Sequence, residues 1–188
     1  MFRKSSVCLV LAALMFTGGL AAQGTKDWAV NELKSLQDKM VKLAGAVPAD
    51  KYTWRPGEGV RSVAEVYLHA VSGNYGISRA IGAQPPAGVN VPALEKSTTE
   101  KAKVIELLKQ SYDHAIEAVN KLSEADLDKA LERPGFVKTY REAALLLVTH
   151  SHEHLGQSIA YARSNGVIPP WTEEQQQKAK QAPAKKSD

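Results

Sequence analysis

Apolar residues recur at intervals of three and four in four long stretches of the chain, at about 26–46, 61–81, 98–122 and 139–164. In the first stretch they form one row: Leu33, Leu36, Met40, Leu43 and Val47. This spacing places them on one face of a helix, which is typical of a helix packed against others. No region between these stretches is rich in strand signals, so the pattern predicts an all-α fold with four long helices.

Polar residues and prolines mark the expected ends of these helices. Three pairs have the spacing of a capping box at the starts of the second, third and fourth helices: Ser62 with Glu65, Ser97 with Glu100, and Thr139 with Glu142. Pro48 ends the first helix, and Asn165 with Gly166 ends the fourth. The segment 82–96 is a long, proline-containing connection, which lets the third helix run parallel to the second.

Residues 1–22 have the three parts of a secretory signal peptide. Arg3 and Lys4 supply the positive start, an apolar run follows, and small residues lead to a cleavage site after Ala21 or Ala22. The apolar run is shorter than the roughly 20 residues of a membrane-spanning helix. We therefore expect cleavage, export to the periplasm or out of the cell, and no stable membrane insertion afterwards. An uncleaved anchor is the alternative.

Removal of the signal peptide would leave one domain, residues 23–172, and a polar tail, residues 173–188, which we expect to be disordered. The formal net charge of +4 includes Arg3 and Lys4, and the tail is itself basic, so the domain is close to neutral. We therefore do not expect it to bind nucleic acid. The single cysteine, Cys8, lies within the signal peptide, which excludes disulfides and cysteine ligands from the mature chain.

Three of the five histidines lie within residues 150–154. On a helix, His150 and His154 are about 40° apart on one face, whereas His152 lies nearly opposite. The face that carries the pair begins apolar and becomes polar: Leu147, His150, His154, Gln157 and Tyr161. Buried polar groups need partners, and a His pair at this spacing is a common donor to zinc and similar metals. Alternatively, the pair is exposed, or its two rings are hydrogen-bonded to each other.

His69 in the second helix is a candidate third ligand, provided that this helix packs beside the fourth. Gly73 and Gly76 lie on the same side and would leave room for a metal, water or substrate. Two carboxylates could orient a ligand or move a proton: Glu65, one turn before His69, and Glu153, beside His154. Two further residues could contact a substrate: Gln157 and Tyr161.

Four segments together resemble the DinB-like family: 47–58 (VPADKYTWRPGE), 61–69 (RSVAEVYLH), 150–157 (HSHEHLGQ) and 165–171 (NGVIPPW). The resemblance extends from about Trp28 to Trp171. It implies a four-helix bundle with an up-down-down-up course. It also implies a divalent metal held by one histidine of the second helix and two of the fourth, which are His69, His150 and His154 here. We expect zinc, with nickel, iron or manganese as alternatives.

The resemblance also bears on function. Family members are often homodimers, and some are thiol-dependent transferases or isomerases, but thiol cofactors are cytoplasmic and do not suit an exported protein. Many relatives have histidine directly before the last ligand, where this chain has Glu153. We expect a metal-dependent hydrolase or transferase that acts on an unknown small molecule. A non-catalytic metal- or small-ligand-binding module and a purely structural domain are the alternatives.

Overall fold

The computed structural model describes residues 24–181, and all of its long elements are helices. The α-helices are α1 (Thr25–Ala46), α2 (Val63–Ala80), α3 (Lys101–Asn120), α4 (Tyr140–Ser164) and α5 (Pro170–Gln181). Three short 3₁₀ helices lie between them: Ala49–Lys51, Val91–Lys96 and Asp126–Asp128. The only β pairing in the described residues is one isolated bridge between Ala130 and Thr139. The all-α prediction is confirmed, whereas the predicted signal peptide, residues 1–22, lies outside the described residues.

The first four α-helices form a bundle in which α1 and α2 each pack against α3 and α4. α1 is antiparallel to α3, because Lys101 at the start of α3 donates to the carbonyl of Gly45 near the end of α1. α1 is parallel to α4, because Arg141 near the start of α4 donates to Thr25 at the start of α1. Because these four pairs are the ones that pack together, α1 lies diagonally across the bundle from α2, and α3 from α4.

α2 is antiparallel to α4 and parallel to α3. Tyr161 near the end of α4 donates to the carbonyl of Arg61, just before α2 begins. His114 in the second half of α3 lies 3.3 Å from the carbonyl of Ala83, just beyond the end of α2. These directions give the predicted up-down-down-up course, and they place α2 and α4 side by side, as a shared site between them requires.

The N-terminus of α2 carries the predicted capping box. The Ser62 hydroxyl accepts from the Glu65 amide at 3.3 Å, and the Glu65 carboxylate accepts from the Ser62 amide at 2.6 Å. Arg55 also forms an ion pair with Glu65 at 3.2 Å. These bonds satisfy backbone donors that a helix start leaves free. They fix where α2 begins, and therefore the register of His69, nearly two turns into the helix.

The start of α3 differs from the prediction. Ser97 does not cap it, because the Ser97 hydroxyl donates to the carbonyl of Leu94 in the preceding 3₁₀ helix. Glu100 is the N-cap instead, and its carboxylate accepts from the amides of Ala102 and Lys103. Thr139 caps α4 as predicted, accepting from the Glu142 amide at 3.2 Å.

The predicted apolar row of α1 is almost fully buried, with 0–1% exposure at each position. Four tyrosines share this core with aliphatic residues from all four helices: Tyr52, Tyr67, Tyr75 and Tyr112. Burying one leucine, valine or methionine side chain stabilises the fold by roughly 1.5–3 kcal/mol relative to leaving it exposed. The core therefore holds α2 and α4 in a defined register.

The C-terminal segment differs from the expected disordered tail. Residues 173–181 continue the helix α5, and the rest of the tail lies outside the described residues. Pro170 occupies the first helical position, and the glutamates, glutamines and lysines that follow are good helix formers. Trp171 packs against the core at its start. Across residues 24–181, no helix combines the length and apolarity needed to cross a membrane.

Candidate metal centre

Three histidine rings from two neighbouring helices meet on the side of the bundle where α2 and α4 pack together. His69 comes from α2, and His150 and His154 come from successive turns of α4. The centroid of the His154 ring lies 4.4 Å from that of His150 and 4.6 Å from that of His69. The structure therefore brings together all three predicted ligands.

The Nε2 atoms of these rings approach one another closely. His150 Nε2 lies 3.2 Å from His154 Nε2 and 3.4 Å from His69 Nε2. In a tetrahedral site with metal–nitrogen bonds of 2.0–2.1 Å, two nitrogens lie about 3.3 Å apart. The three rings could therefore hold a divalent metal ion, since one nitrogen from each faces a common point. Imidazole suits several first-row metals.

Glu95 is hydrogen-bonded to the ring nitrogen of His69 that does not face His150. Its Nδ1 donates to Glu95 Oε2 at 2.7 Å, and the Arg61 guanidinium donates to both Glu95 oxygens at 2.8 and 3.3 Å. Glu95 belongs to the 3₁₀ helix Val91–Lys96, which packs along α2. Sequence reasoning missed this residue, because it lies in the long connection and no helical spacing relates it to His69.

His154 is supported by two residues that follow it on α4, Gln157 and Tyr161. Its Nδ1 lies 3.1 Å from Gln157 Oε1, and Gln157 Nε2 donates to the Tyr161 hydroxyl at 3.3 Å. The Tyr161 ring packs edge-on against Trp54, with centroids 5.4 Å apart. Gln157 and Tyr161 were predicted as supporting or substrate-contacting residues. Gln157 is bonded to the His154 nitrogen that does not face His150, and Tyr161 is bonded to Gln157.

The His150 ring occupies the space beside Gly73. A Cβ on Gly73 would lie 2.2 Å from His150 Cε1 and 2.6 Å from Nδ1. The room predicted at this glycine is therefore filled by the ring itself. At Gly76, one turn further along α2, a Cβ would meet nothing within 4 Å. That glycine lines an open cleft of about 540 Å³, together with residues that include Arg79 and Arg133.

Burial and the neighbouring rings lower the pKa of His150 and of His154 and keep both rings neutral. Burial, with the neighbouring rings of His154 and His69, lowers the pKa of His150 to about 4. Burial also lowers the pKa of His154, although the Gln157 bond and the nearby Glu153 charge act in the opposite direction. Metal ligation requires neutral imidazole. The two rings are therefore ready to bind a metal at neutral pH.

Glu95 is ionised for a different reason. Burial alone would raise the pKa of its carboxyl group, but hydrogen bonds from Arg61 and His69 and the charge of the Arg61 guanidinium outweigh this effect. The net result is a lowered pKa, so Glu95 is a carboxylate at neutral pH. Such a group fixes the orientation of a metal-binding histidine and raises its basicity.

Comparison with known families agrees with this arrangement. A family model described as the DinB superfamily matches residues 32–158, more than half of the chain. The chain belongs to the DinB superfamily. Two solved structures share the DinB fold with it. A DinB-like protein from Bacillus cereus ATCC 10987 has a TM-score of 0.65 at 15% identity, covering 76% of this chain and 93% of that one.

The second is a DinB-like protein from Bacillus subtilis, with a TM-score of 0.58 at 19% identity, covering 75% of this chain and 94% of that one. At these identities the likeness concerns the fold alone. No curated protein matches this DinB superfamily member significantly.

The remaining predicted residues flank the three histidines along α2 and α4. The Glu65 carboxylate is engaged by Ser62 and Arg55 at the start of α2, and Glu95 is the carboxylate that contacts His69. Glu153 is exposed on α4, directly before His154. His152 lies on the far side of α4, as its position in the sequence predicted, 3.5 Å from Glu32.

Proposed function

We propose that this DinB superfamily protein binds one divalent metal ion through the Nε2 atoms of His69, His150 and His154, with zinc as the resident metal. The observation that carries the proposal is the convergence of these atoms, at 3.2 and 3.4 Å. A hydrogen on one Nε2 atom joins that ring to one neighbour, whereas a single cation satisfies all three nitrogens of this partly buried site at once. Nickel, iron and manganese are the alternatives to zinc.

We further propose that the centre serves a metal-dependent hydrolase or transferase acting on a small molecule. A zinc ion bound by three histidines keeps an open coordination position and lowers the pKa of a water there to about 7. The centre is reachable from solvent, because the His69 side chain remains 27% exposed. Glu153 is the exposed carboxylate next to the site, and we assign it the exchange of protons with a substrate.

A non-catalytic metal- or small-ligand-binding module is the second candidate, and one observation favours it. Two of the three nearby carboxylates are already engaged: Glu95 by Arg61 and His69, and Glu65 by the start of α2. Saturation kinetics that vanish in His150→Ala would support the enzyme. A metal that binds tightly, raises the melting temperature and changes no rate would support the binding module.

The metal proposal is tested by elemental analysis of the mature protein, purified without chelator from its native compartment. His154→Ala removes a proposed ligand, and His152→Ala is its matched control, two residues away on the exposed side of the same helix. We expect one metal ion per chain in the wild type and in His152→Ala, and none in His154→Ala. Equal metal content in all three proteins would contradict the proposal.

We also propose export of the protein, on the three-part pattern of residues 1–22. N-terminal sequencing of the protein recovered from the cell envelope or medium should give a chain that begins directly after Ala21 or Ala22. Recovery in the cytoplasm of a chain that still starts at Met1 would contradict export.

A further inference from the structure

Two chains of hydrogen bonds connect the proposed ligands to Arg61, the residue just before the capping box of α2. One runs from His154 through Gln157 and Tyr161 to the Arg61 carbonyl. The other runs from His69 through Glu95 to the Arg61 guanidinium. We call the four residues that support the histidines the Arg61 network: Arg61, Glu95, Gln157 and Tyr161.

The direction of the first chain follows from its last member. A backbone carbonyl can only accept, so the Tyr161 hydroxyl donates to Arg61 O, at 3.2 Å. The Tyr161 oxygen is then free to accept from the amide nitrogen of Gln157, at 3.3 Å. Gln157 must therefore turn its oxygen to His154, at 3.1 Å. His154 Nδ1 carries the hydrogen, and its Nε2 presents a lone pair.

The direction of the second chain follows in the same way. A guanidinium can only donate, and it occupies both oxygens of Glu95, at 2.8 and 3.3 Å. The carboxylate in turn can only accept, so His69 Nδ1 donates to it at 2.7 Å. His69 therefore also carries its hydrogen on Nδ1 and presents a lone pair on Nε2.

We propose that Arg61 sets the tautomers of both His69 and His154, through its guanidinium and its carbonyl respectively, and so aims two Nε2 lone pairs at one point before any metal arrives. This inference rests on the proposed metal function and deepens it. The members of the Arg61 network are positioning residues. Loss of such outer partners typically weakens metal binding by about 10–100-fold.

The position of Arg61 explains why it can serve both chains. Ser62 is the N-cap of α2, and its carbonyl is the first to accept a bond within the helix, from the Val66 amide. The carbonyl of Arg61, one residue earlier, remains free for Tyr161. The capping box holds the backbone at this point, which fixes the position of the Arg61 carbonyl and of the Cα from which its side chain extends. His150 stands outside the network: its ring lies beside Gly73, and its hydrogen-bond contacts are to His69 and His154.

The test is long-range ¹H–¹⁵N NMR of the metal-free protein at mildly alkaline pH, which reports the protonated nitrogen of each neutral histidine. In the wild type we expect hydrogen on Nδ1 of both His69 and His154. Hydrogen on Nε2 of either ring, or a mixture of tautomers, would overturn the inference. This measurement needs neither a metal nor a variant.

Two variants separate the two chains. In Glu95→Gln, the guanidinium of Arg61 will hold the new amide oxygen, so the amide NH₂ will face His69 Nδ1 and move that hydrogen to Nε2. His154 should not change. In Tyr161→Phe, Gln157 is no longer oriented, so His154 should become a mixture of tautomers while His69 stays unchanged. A ring that keeps its wild-type tautomer in the variant of its own chain would refute its link to Arg61.

Zinc affinity, measured by competition with a chromophoric chelator, completes the test. Both variants should bind zinc about 10–100-fold more weakly than the wild type. The matched controls should bind like the wild type: Glu106→Gln, an exposed carboxylate paired with Lys103, and Tyr140→Phe, at the opposite end of α4 from Tyr161. Wild-type zinc affinity in Glu95→Gln and Tyr161→Phe would overturn the inference. Expected tautomers in a protein that binds no zinc would instead overturn the proposed function and leave the tautomer assignment standing.

Discussion

Replacing Gly73 with alanine places a methyl group where the His150 ring lies. The new Cβ would be 2.2 Å from His150 Cε1, whereas ordinary contact begins at 3.4 Å, so the ring must retreat by about 1 Å. Metal sites tolerate deviations of about 0.2 Å in their bond lengths. We therefore expect His150 to be lost as a ligand, and zinc affinity to fall by more than the roughly 100-fold that an outer partner can account for.

Gly76→Ala is the matched control for this change. Gly76 lies one turn further along α2, and a Cβ there would meet nothing within 4 Å. Both substitutions remove the cost of glycine in a helix, about 1 kcal/mol relative to alanine. Gly76→Ala should therefore stabilise the metal-free protein by about 1 kcal/mol and leave zinc affinity unchanged. Gly73→Ala should gain less, because the ring is displaced.

The assay is zinc titration by competition with a chromophoric chelator, combined with urea denaturation of both metal-free variants. The comparison isolates contact with His150, because backbone and helix effects are shared. If Gly73→Ala bound zinc as tightly as Gly76→Ala, either the ring would not lie at Gly73 or His150 would not be a ligand. Both would refute the geometry described for this centre.

Three further predictions concern stability. The metal-free protein should become less stable as pH falls from about 6.5 towards 4, because burial lowers the pKa of His150 from 6.5 to about 4 and the unfolded chain takes up the proton first. In His150→Gln, the urea midpoint should therefore depend less on pH across this range. An unchanged pH dependence would argue against the lowered pKa of His150. Ser62→Ala should cost about 1 kcal/mol in urea denaturation by removing the cap of α2, whereas a loss near zero would mean that the capping box is not formed in solution. Zinc at 100 times its Kd should stabilise the protein by about 2.7 kcal/mol, and the same effect in His150→Gln would place the ion elsewhere.

Local sequence signals were sufficient for the four helices and for the pair on α4. The 3.6-residue period placed Leu33 and Met40 in the core, and it placed His150 and His154 on one face. The capping box at Ser62 marked the start of α2 because its two bonds join residues only three apart. Such features depend on neighbouring residues alone, so the chain order is enough to predict them.

Features that depend on distant contacts or on close local competition were not predictable in this way. Glu95 contacts His69 across 26 residues, from a connection whose path is decided by packing on α2. Glu100, rather than Ser97, caps α3 because the Ser97 hydroxyl is engaged by the preceding 3₁₀ helix. The helical course of residues 173–181 follows from helix propensity that the polar composition concealed.

A crystal structure of the zinc-soaked protein, with anomalous data collected on both sides of the zinc edge, would test the central claim most directly. We predict one anomalous peak per chain, about 2.0–2.1 Å from the Nε2 atoms of His69, His150 and His154. A peak bound by Nδ1 atoms, by other residues, or by only one of the three rings would contradict the account, as would the absence of any peak at this position.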